Sequence, residues 1–339
     1  MIEALKKPKI LPFSPVSRAH ALVAGALRRV EQDIEAAVAS TVELVPEVAK
    51  HLIDSGGKRI RPTLLLLMAQ TAGAEARDGI DLSVATELFH NASLLHDDVV
   101  DRGNFRRGVP AAPRVYGNAA SVLVGDFMMA RAFGIVVKHG DVDLLDELSR
   151  VISSMAEGEV LQLVRSGRAT LSLPGYEQII SGKTAGLFAW CCRAGASLAR
   201  VGRNDIEAAT ELGRAFGMAF QITDDVLDYI APPEQSGKDL ANDLLQGKTT
   251  LPLLLACEED AGLHPLIEDI SARQPDEHEC LMVVERVLAT KSLKRALDKA
   301  TIYSRRAADQ LKCFSASRYA ESIGELLAFV TERVVLPGS

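Results

Sequence analysis

Apolar residues recur at three- and four-residue spacing through almost the whole chain, and that period leaves little choice of fold. The stretches ALVAGALRRVEQDIEAAVAS, DLSVATELFHNASLLHDDVV, LLDELSRVISSMAEGEVLQLV and DIEAATELGRAFGMAFQITDDVLDYI each present one apolar helical face. Alternating apolar and polar runs bounded by hairpin turns are missing, so strands are not expected. Breaks fall at Gly56-Gly57, around Gly73–Gly79, across Arg102–Pro113, at Gly140-Asp141, around Arg165–Pro174, at Val201–Asn204 and across Ala231–Gly247. The reading is all-α, about a dozen helices in a single large bundle. Residues 1–14 are expected to be loosely held, and residues 15–339 to form one domain, because no Pro/Gly/Ser-rich linker divides the 339 residues.

Composition narrows the class. Apolar residues make up 47% of the chain and the mean hydropathy is +0.10, enough for a large core. A formal net charge of −7 argues against a general nucleic-acid binder. The five cysteines show no C-x-x-C spacing, which suits reduced thiols, and the adjacent Cys191 and Cys192 read as small core residues. MIEALKKPKILPF lacks the apolar region of a secretion signal, and no uninterrupted apolar stretch looks long enough to span a bilayer. The expectation is a cytoplasmic protein, with peripheral membrane contact left open.

Inside these apolar helices lie two acidic clusters of one design: Asp97-Asp98-Val99-Val100-Asp101 and Asp224-Asp225-Val226-Leu227-Asp228. Positions i and i+4 share a helix face, so Asp97 pairs with Asp101 and Asp224 with Asp228. Carboxylates in such places are costly unless paired or bound to metal. Facing pairs across a cavity could hold hard cations, and Mg²⁺ held that way usually also binds substrate phosphates. Basic residues complement them. Gly56-Gly57-Lys58-Arg59-Ile60-Arg61 packs three cations after two glycines, without the spacing of a Walker A loop. On its own such a cluster reads as a solvated loop. Arg106-Arg107 follow the first acidic cluster, where they could neutralise it or bind phosphate. Lys183, Lys238 and Lys248 sit beside Thr or Gly. Each alone reads as surface.

Taken in order, GGKRIRP, LLHDDVVD, RRG, YGNAASVLVGDF, AEGEVLQL, GKTAGLF, FQITDDVLDY and GK…QGKTTLP resemble the motifs of the trans-prenyltransferases, the polyprenyl diphosphate synthases, over about residues 20–310. The look is nearest to long-chain, octaprenyl-type bacterial enzymes. The resemblance implies the isoprenoid synthase type I fold with a central cavity, three Mg²⁺ ions, isopentenyl diphosphate and an allylic diphosphate as substrates, and a homodimer. In that scheme Asp97 and Asp101 hold two ions and Asp224 the third, with Asp98, Asp225 and Asp228 completing the acidic set. Arg106, Lys183, Lys238 and Lys248 match contacts to the allylic diphosphate. Lys58, Arg61, His90 and Arg107 match the isopentenyl diphosphate pocket, and Thr184 and Gln221 match polar groups near the developing cation. His90 by itself reads as a core histidine; the resemblance turns it into a phosphate contact. His96 has no such match and reads as structural. Two departures stand out: Ala111 replaces a Thr in RRGVPAAP, and Asn242 replaces an acid in GKDLANDL.

Product length is expected to depend on the helix that carries the first motif. Ala92 and Ser93, one turn before Asp97, are small where short-chain relatives carry an aromatic. Phe89 lies a further turn down, either as a floor about 12 Å below the metals or packed sideways. Met128, Met129 and Phe133 are equally ambiguous between core and tunnel wall. The expectation is a hexaprenyl to decaprenyl product, with farnesyl or geranylgeranyl length, or a non-catalytic partner subunit of a prenyl synthase, as the alternatives.

Overall fold

The computed structural model describes residues 9–10, 14–165, 172–230, 242–273 and 277–336. Among them are seventeen α-helices: α1 (Ser14–Leu22), α2 (Ala24–Ala37), α3 (Leu44–Asp54), α4 (Ile60–Ala72), α5 (Ile80–Val100), α6 (Ala112–Tyr116), α7 (Asn118–His139), α8 (Val142–Arg165), α9 (Leu173–Ile180), α10 (Gly186–Leu198), α11 (Arg203–Ile230), α12 (Asn242–Leu245), α13 (Leu251–Glu259), α14 (Leu263–Arg273), α15 (Glu277–Leu288), α16 (Ser292–Leu311) and α17 (Arg318–Glu332). Strands are reduced to two antiparallel pairs of two residues each. β1 (Lys9–Ile10) pairs with β4 (Val334–Val335), and β2 (Phe105–Arg106) with β3 (Val109–Pro110). The fold is all-α, as the periodicity predicts.

Two details depart from that reading. The stretch 21–40 is not one helix: Val23 leaves helical geometry at φ −120°, ψ 19° and separates α1 from α2. Nor is the chain without a membrane-length apolar helix. α7 is long and apolar enough by length and composition to cross a bilayer. The pattern hid this because Asp126 and Arg131 interrupt the run. Val124, Met128, Ala132 and Val136 face the core, while Val122, Leu123 and Val137 stay exposed.

The core divides into two clusters. The larger gathers α2, α4, α5, α7, α10 and the first half of α11, and the smaller gathers α9, the end of α11 and α13–α16. α4 is buried from Pro62 to Ala69, all round rather than on one face, so it runs through the middle. α10 lies against it so closely that a Cβ on Gly195 would sit 2.5 Å from the Leu65 carbonyl oxygen. Trp190 on α10 is fully buried and donates Nε1–H to the Leu144 carbonyl of α8 at 3.0 Å. Each fully buried Leu or Phe in this layer is worth roughly 2 kcal/mol. Those central helices form a rigid frame on which the ends of α5 and α11 are held.

Candidate active site

The first acidic motif closes α5, with Asp97 and Asp98 in the last turn and Asp101 as C-cap. A helix C-terminus carries partial negative charge, so three carboxylates there require cations. Each receives one from a different element. Arg106 donates Nε–H and Nη2–H to Asp98 Oδ1 at 2.9 and 2.5 Å. Lys183 Nζ lies 3.8 Å from Asp97 and also pairs directly with Glu159. Lys248 Nζ donates to Asp101 Oδ2 at 2.6 Å and to the Gln246 side chain at 2.6 Å. Burial pushes the Asp98 carboxyl up from its ordinary value, against the pull of Arg106. For Lys183, burial disfavours the charge, but Asp97 and Glu159 outweigh it and hold its pKa up.

The second motif lies in the last turns of α11. Asp224 carries a half-exposed side chain, with Arg333 Nη2 at 3.9 Å. Asp225 is buried. It accepts the Tyr176 hydroxyl at 2.6 Å and Gln221 Nε2–H at 2.7 Å, and burial with the nearby Asp243 pushes it up to about 8. Asp228 accepts the Asp243 backbone N–H at 3.1 Å. Since the Lys248 backbone N–H also donates to the Asp243 carbonyl at 2.8 Å, a continuous path runs Asp101–Lys248–Asp243–Asp228. The two motifs, 127 residues apart by 224 − 97, therefore sit at one end of the bundle.

Between them lies a π-helical turn, Ser181–Ala185, which joins α9 to α10 and carries Lys183 and Thr184. Such single π turns re-aim side chains out of α-helical register. Thr184 donates to Gln221 Oε1 at 2.8 Å, extending the chain of bonds through Gln221 to Asp225. A cavity of about 80 Å³ opens here, lined by Tyr176, Lys183, Gln221, Asp225, Asp243 and Lys248 among others.

The basic pocket forms where α4 begins. Arg59, its N-cap, takes the left-handed conformation at φ 43°, which costs a side-chain-bearing residue about 1 kcal/mol. Its fork is committed: Nε and Nη2 go to the two oxygens of Glu31 at 2.6 and 3.1 Å, and Nη1 to Glu87 at 3.2 Å. Arg61 stacks 4.5 Å over the Phe188 ring. Arg61 Nε and Arg107 Nη1 are buried without a protein partner. Burial of its ammonium, with Arg333 and Arg107 nearby, pushes Lys58 down to about 8 against the pull of Asp224. His90 is held well below its usual range by burial and then by Arg61, Arg107, Arg106 and Arg59, so it is neutral.

The acidic residues are not equivalent: Asp97, Asp101, Asp224 and Asp228 are partly buried, whereas Asp98 and Asp225 are buried and bonded to Arg106, Tyr176 and Gln221. Arg106 spends Nε and Nη2 on Asp98. Lys238 lies outside the described residues. Ala92 and Phe89 are buried, Phe89 edge-on to Phe133 with centroids 5.0 Å apart, and Ser93 is partly open. His96 donates to the Val122 carbonyl at 3.1 Å, a structural bond between α5 and α7. Cys191 is buried, with its thiol pushed up to about 12.

The sequence pattern does not mark Arg333, Glu159, Tyr176 or Glu87, and it marks Arg59 only as one cation of a basic cluster. Arg333, almost fully buried, has no hydrogen-bond partner at Nε or Nη2 and lies 5.2 Å over the Phe220 ring. It follows α17, far from both motifs, and only its place in three dimensions marks it.

Among the described residues no three carboxylate or imidazole donors converge on one point. The donor chemistry nonetheless suits a hard cation: Asp97, Asp101 and Asp224 offer carboxylate oxygen, and two of the three now face ammonium groups that a metal would displace.

Comparison with known proteins agrees with this arrangement. The polyprenyl synthetase family model matches residues 42–287. The octaprenyl diphosphate synthase of Haemophilus influenzae is 36% identical over 312 residues, covering 91% of this chain and 94% of that one. A short chain isoprenyl diphosphate synthase of Methanothermobacter thermautotrophicus is 34% identical over 301 residues, covering 86% and 91%. Among solved structures, a polyprenyl synthase of Caulobacter crescentus, complexed with calcium and isoprenyl diphosphate, superposes with TM-score 0.90 at 39% identity, covering 93% and 97%. With twin acidic motifs and a basic pocket at one end of an all-helical bundle, the chain belongs to the polyprenyl synthetase family and is a prenyltransferase.

Proposed function

We propose that the protein condenses isopentenyl diphosphate head to tail (1'-4) onto an allylic diphosphate, giving a long-chain all-trans polyprenyl diphosphate. The observation that carries this reading is the bonded path from Asp101 through Lys248 and Asp243 to Asp228, which brings both acidic motifs to one mouth. Asp97, Asp101 and Asp224 would hold Mg²⁺, three ions by resemblance, and such ions neutralise charge on a departing diphosphate. Lys183 and Lys248, with Lys238, add positive charge for the same anion. When the allylic C–O bond breaks, its electron pair leaves with the diphosphate and an allylic cation remains. Lys58, Arg61, His90 and Arg107 hold isopentenyl diphosphate so that its double bond meets that cation. A proton then leaves the adduct. Thr184 and Gln221 present oxygen dipoles beside the cation, and the apolar walls below exclude water that would quench it.

Small residues at Ala92 and Ser93 support a hexaprenyl to decaprenyl product. One observation favours a shorter one: Phe89 packs edge-on against Phe133 between α5 and α7, two turns below Asp97. Incubation with farnesyl and isopentenyl diphosphates and Mg²⁺, followed by product analysis, decides both questions. No elongated product would reject the activity, and geranylgeranyl diphosphate as the main product would reject the long chain.

The assembly proposed is a homodimer in the cytoplasm, with bilayer contact at most peripheral, for product release. Val122, Leu123, Ala130, Gly134 and Val137 form an exposed, mostly small and apolar face on α7, interrupted by Asp126, that a second copy would cover. Sedimentation of Leu123→Glu should show a monomer where the parent is a dimer.

A further inference from the structure

Of the three cations in Lys58-Arg59-Ile60-Arg61, the middle one has its guanidinium tied to carboxylates, those of Glu31 and Glu87. The left-handed backbone at Arg59 turns the chain sharply between Gly57 and Ile60. Lys58 is left on the mouth side, its carbonyl bonded to His20 Nε2 at 3.0 Å, while Arg61 enters the first turn of α4 over Phe188. Arg59 itself spans two helices, with Glu31 of α2 on one side of its fork and Glu87 of α5 on the other. Glu87 is almost fully buried, and burial raises its pKa against the pull of Arg59, Arg61 and Arg107. Arg107 lies across Gly57, its fork 3.3 Å from where a Cβ would be, and Arg59 Nη1 comes within 2.9 Å of the same point. Three guanidiniums thus crowd around one buried carboxylate, and two of them keep unpaired buried donors.

We propose that Arg59 and Glu87 are a positioning pair: Arg59, anchored through Glu31, fixes the turn that aims Lys58 and Arg61, and Glu87 holds the cationic cluster together until an isopentenyl diphosphate enters. Arg59 touches no substrate in this scheme. The inference rests on the assignment of this pocket to isopentenyl diphosphate. Its chemistry is specific, because a bidentate fork fixes orientation as well as charge and a lysine cannot reproduce it.

The test is steady-state kinetics with each substrate varied in turn, on wild type, Arg59→Met, Glu87→Gln and the double variant. Arg59→Met should raise KM for isopentenyl diphosphate about tenfold, because Lys58 and Arg61 lose their aim, with kcat and the allylic KM changed by less than about threefold. Because the two residues act as a unit, the double variant should be no worse than Arg59→Met. Equal rises in both KM values, additive effects, or an unchanged isopentenyl diphosphate KM would each overturn the pair. Where Arg59→Met does not fold, Arg59→Lys takes its place, and the expected rise is about threefold in the same KM alone. An inactive wild type would instead reject the proposed reaction, so the two failures are told apart.

Discussion

Lys248 reaches Asp101 across 147 residues of sequence and bonds it at 2.6 Å, so one ammonium occupies a carboxylate of the first motif while its own backbone is tied to the loop of the second. A divalent ion must compete with that ammonium. In Lys248→Ala, divalent binding without substrate should therefore tighten severalfold, measured by calorimetry. Turnover should fall by about tenfold or more, because a cation for the leaving group is lost. Weaker metal binding would show that Lys248 supports the ion rather than excluding it.

Lys58 gives the enzyme a pH limit. Its pKa is pushed down to about 8, so the free enzyme carries the charge below that value and loses it above. Only the protonated ammonium pairs with a diphosphate. The expected result is that kcat/KM for isopentenyl diphosphate falls as pH rises through about 8, and that Lys58→Arg, which stays charged, moves the fall to higher pH.

Ser93 lies one turn before Asp97 and is the open member of the Ala92–Ser93 pair. Placing an aromatic there narrows the path below the metals. Ser93→Phe should shorten the main product by one or more isoprene units, read by chromatography of the dephosphorylated alcohols. Phe89→Ala leaves a hole beside Phe133 and should cost roughly 3 kcal/mol of stability, seen in chemical denaturation.

Gly182 sits in the π turn, where an added Cβ would meet the Ser154 carbonyl oxygen of α8 at 2.5 Å. Backbone cannot yield as a side-chain end can, so Gly182→Ala must shift Lys183 and Thr184. A displacement of that kind costs on the order of 100-fold in kcat. Gly25→Ala, which meets nothing within 4 Å in α2, should leave turnover unchanged and add about 0.5–1 kcal/mol of stability.

The helical class, several of the breaks between helices and the pairing of Asp97 with Asp101 and of Asp224 with Asp228 are legible from local pattern, because a 3.6-residue period and an acid inside an apolar face are properties of a few turns of chain. The break at Val23 escaped because periodicity continues through it. Which carboxylate meets which cation depended on packing. Asp98 and Asp225 have the same letters as their neighbours, yet both are buried and bound to Arg106, Tyr176 and Gln221. Arg59 and Arg61 differ in the same way, one clamped to Glu31 and Glu87, the other left with an unpaired donor. Arg333 belongs to the mouth only because the chain returns there after α17. The sequence by itself determined the helices and the kinds of charge they carry. The tertiary structure decided the partners, since desolvation and hydrogen bonding are set by what lies across a gap and not by what lies next along the chain.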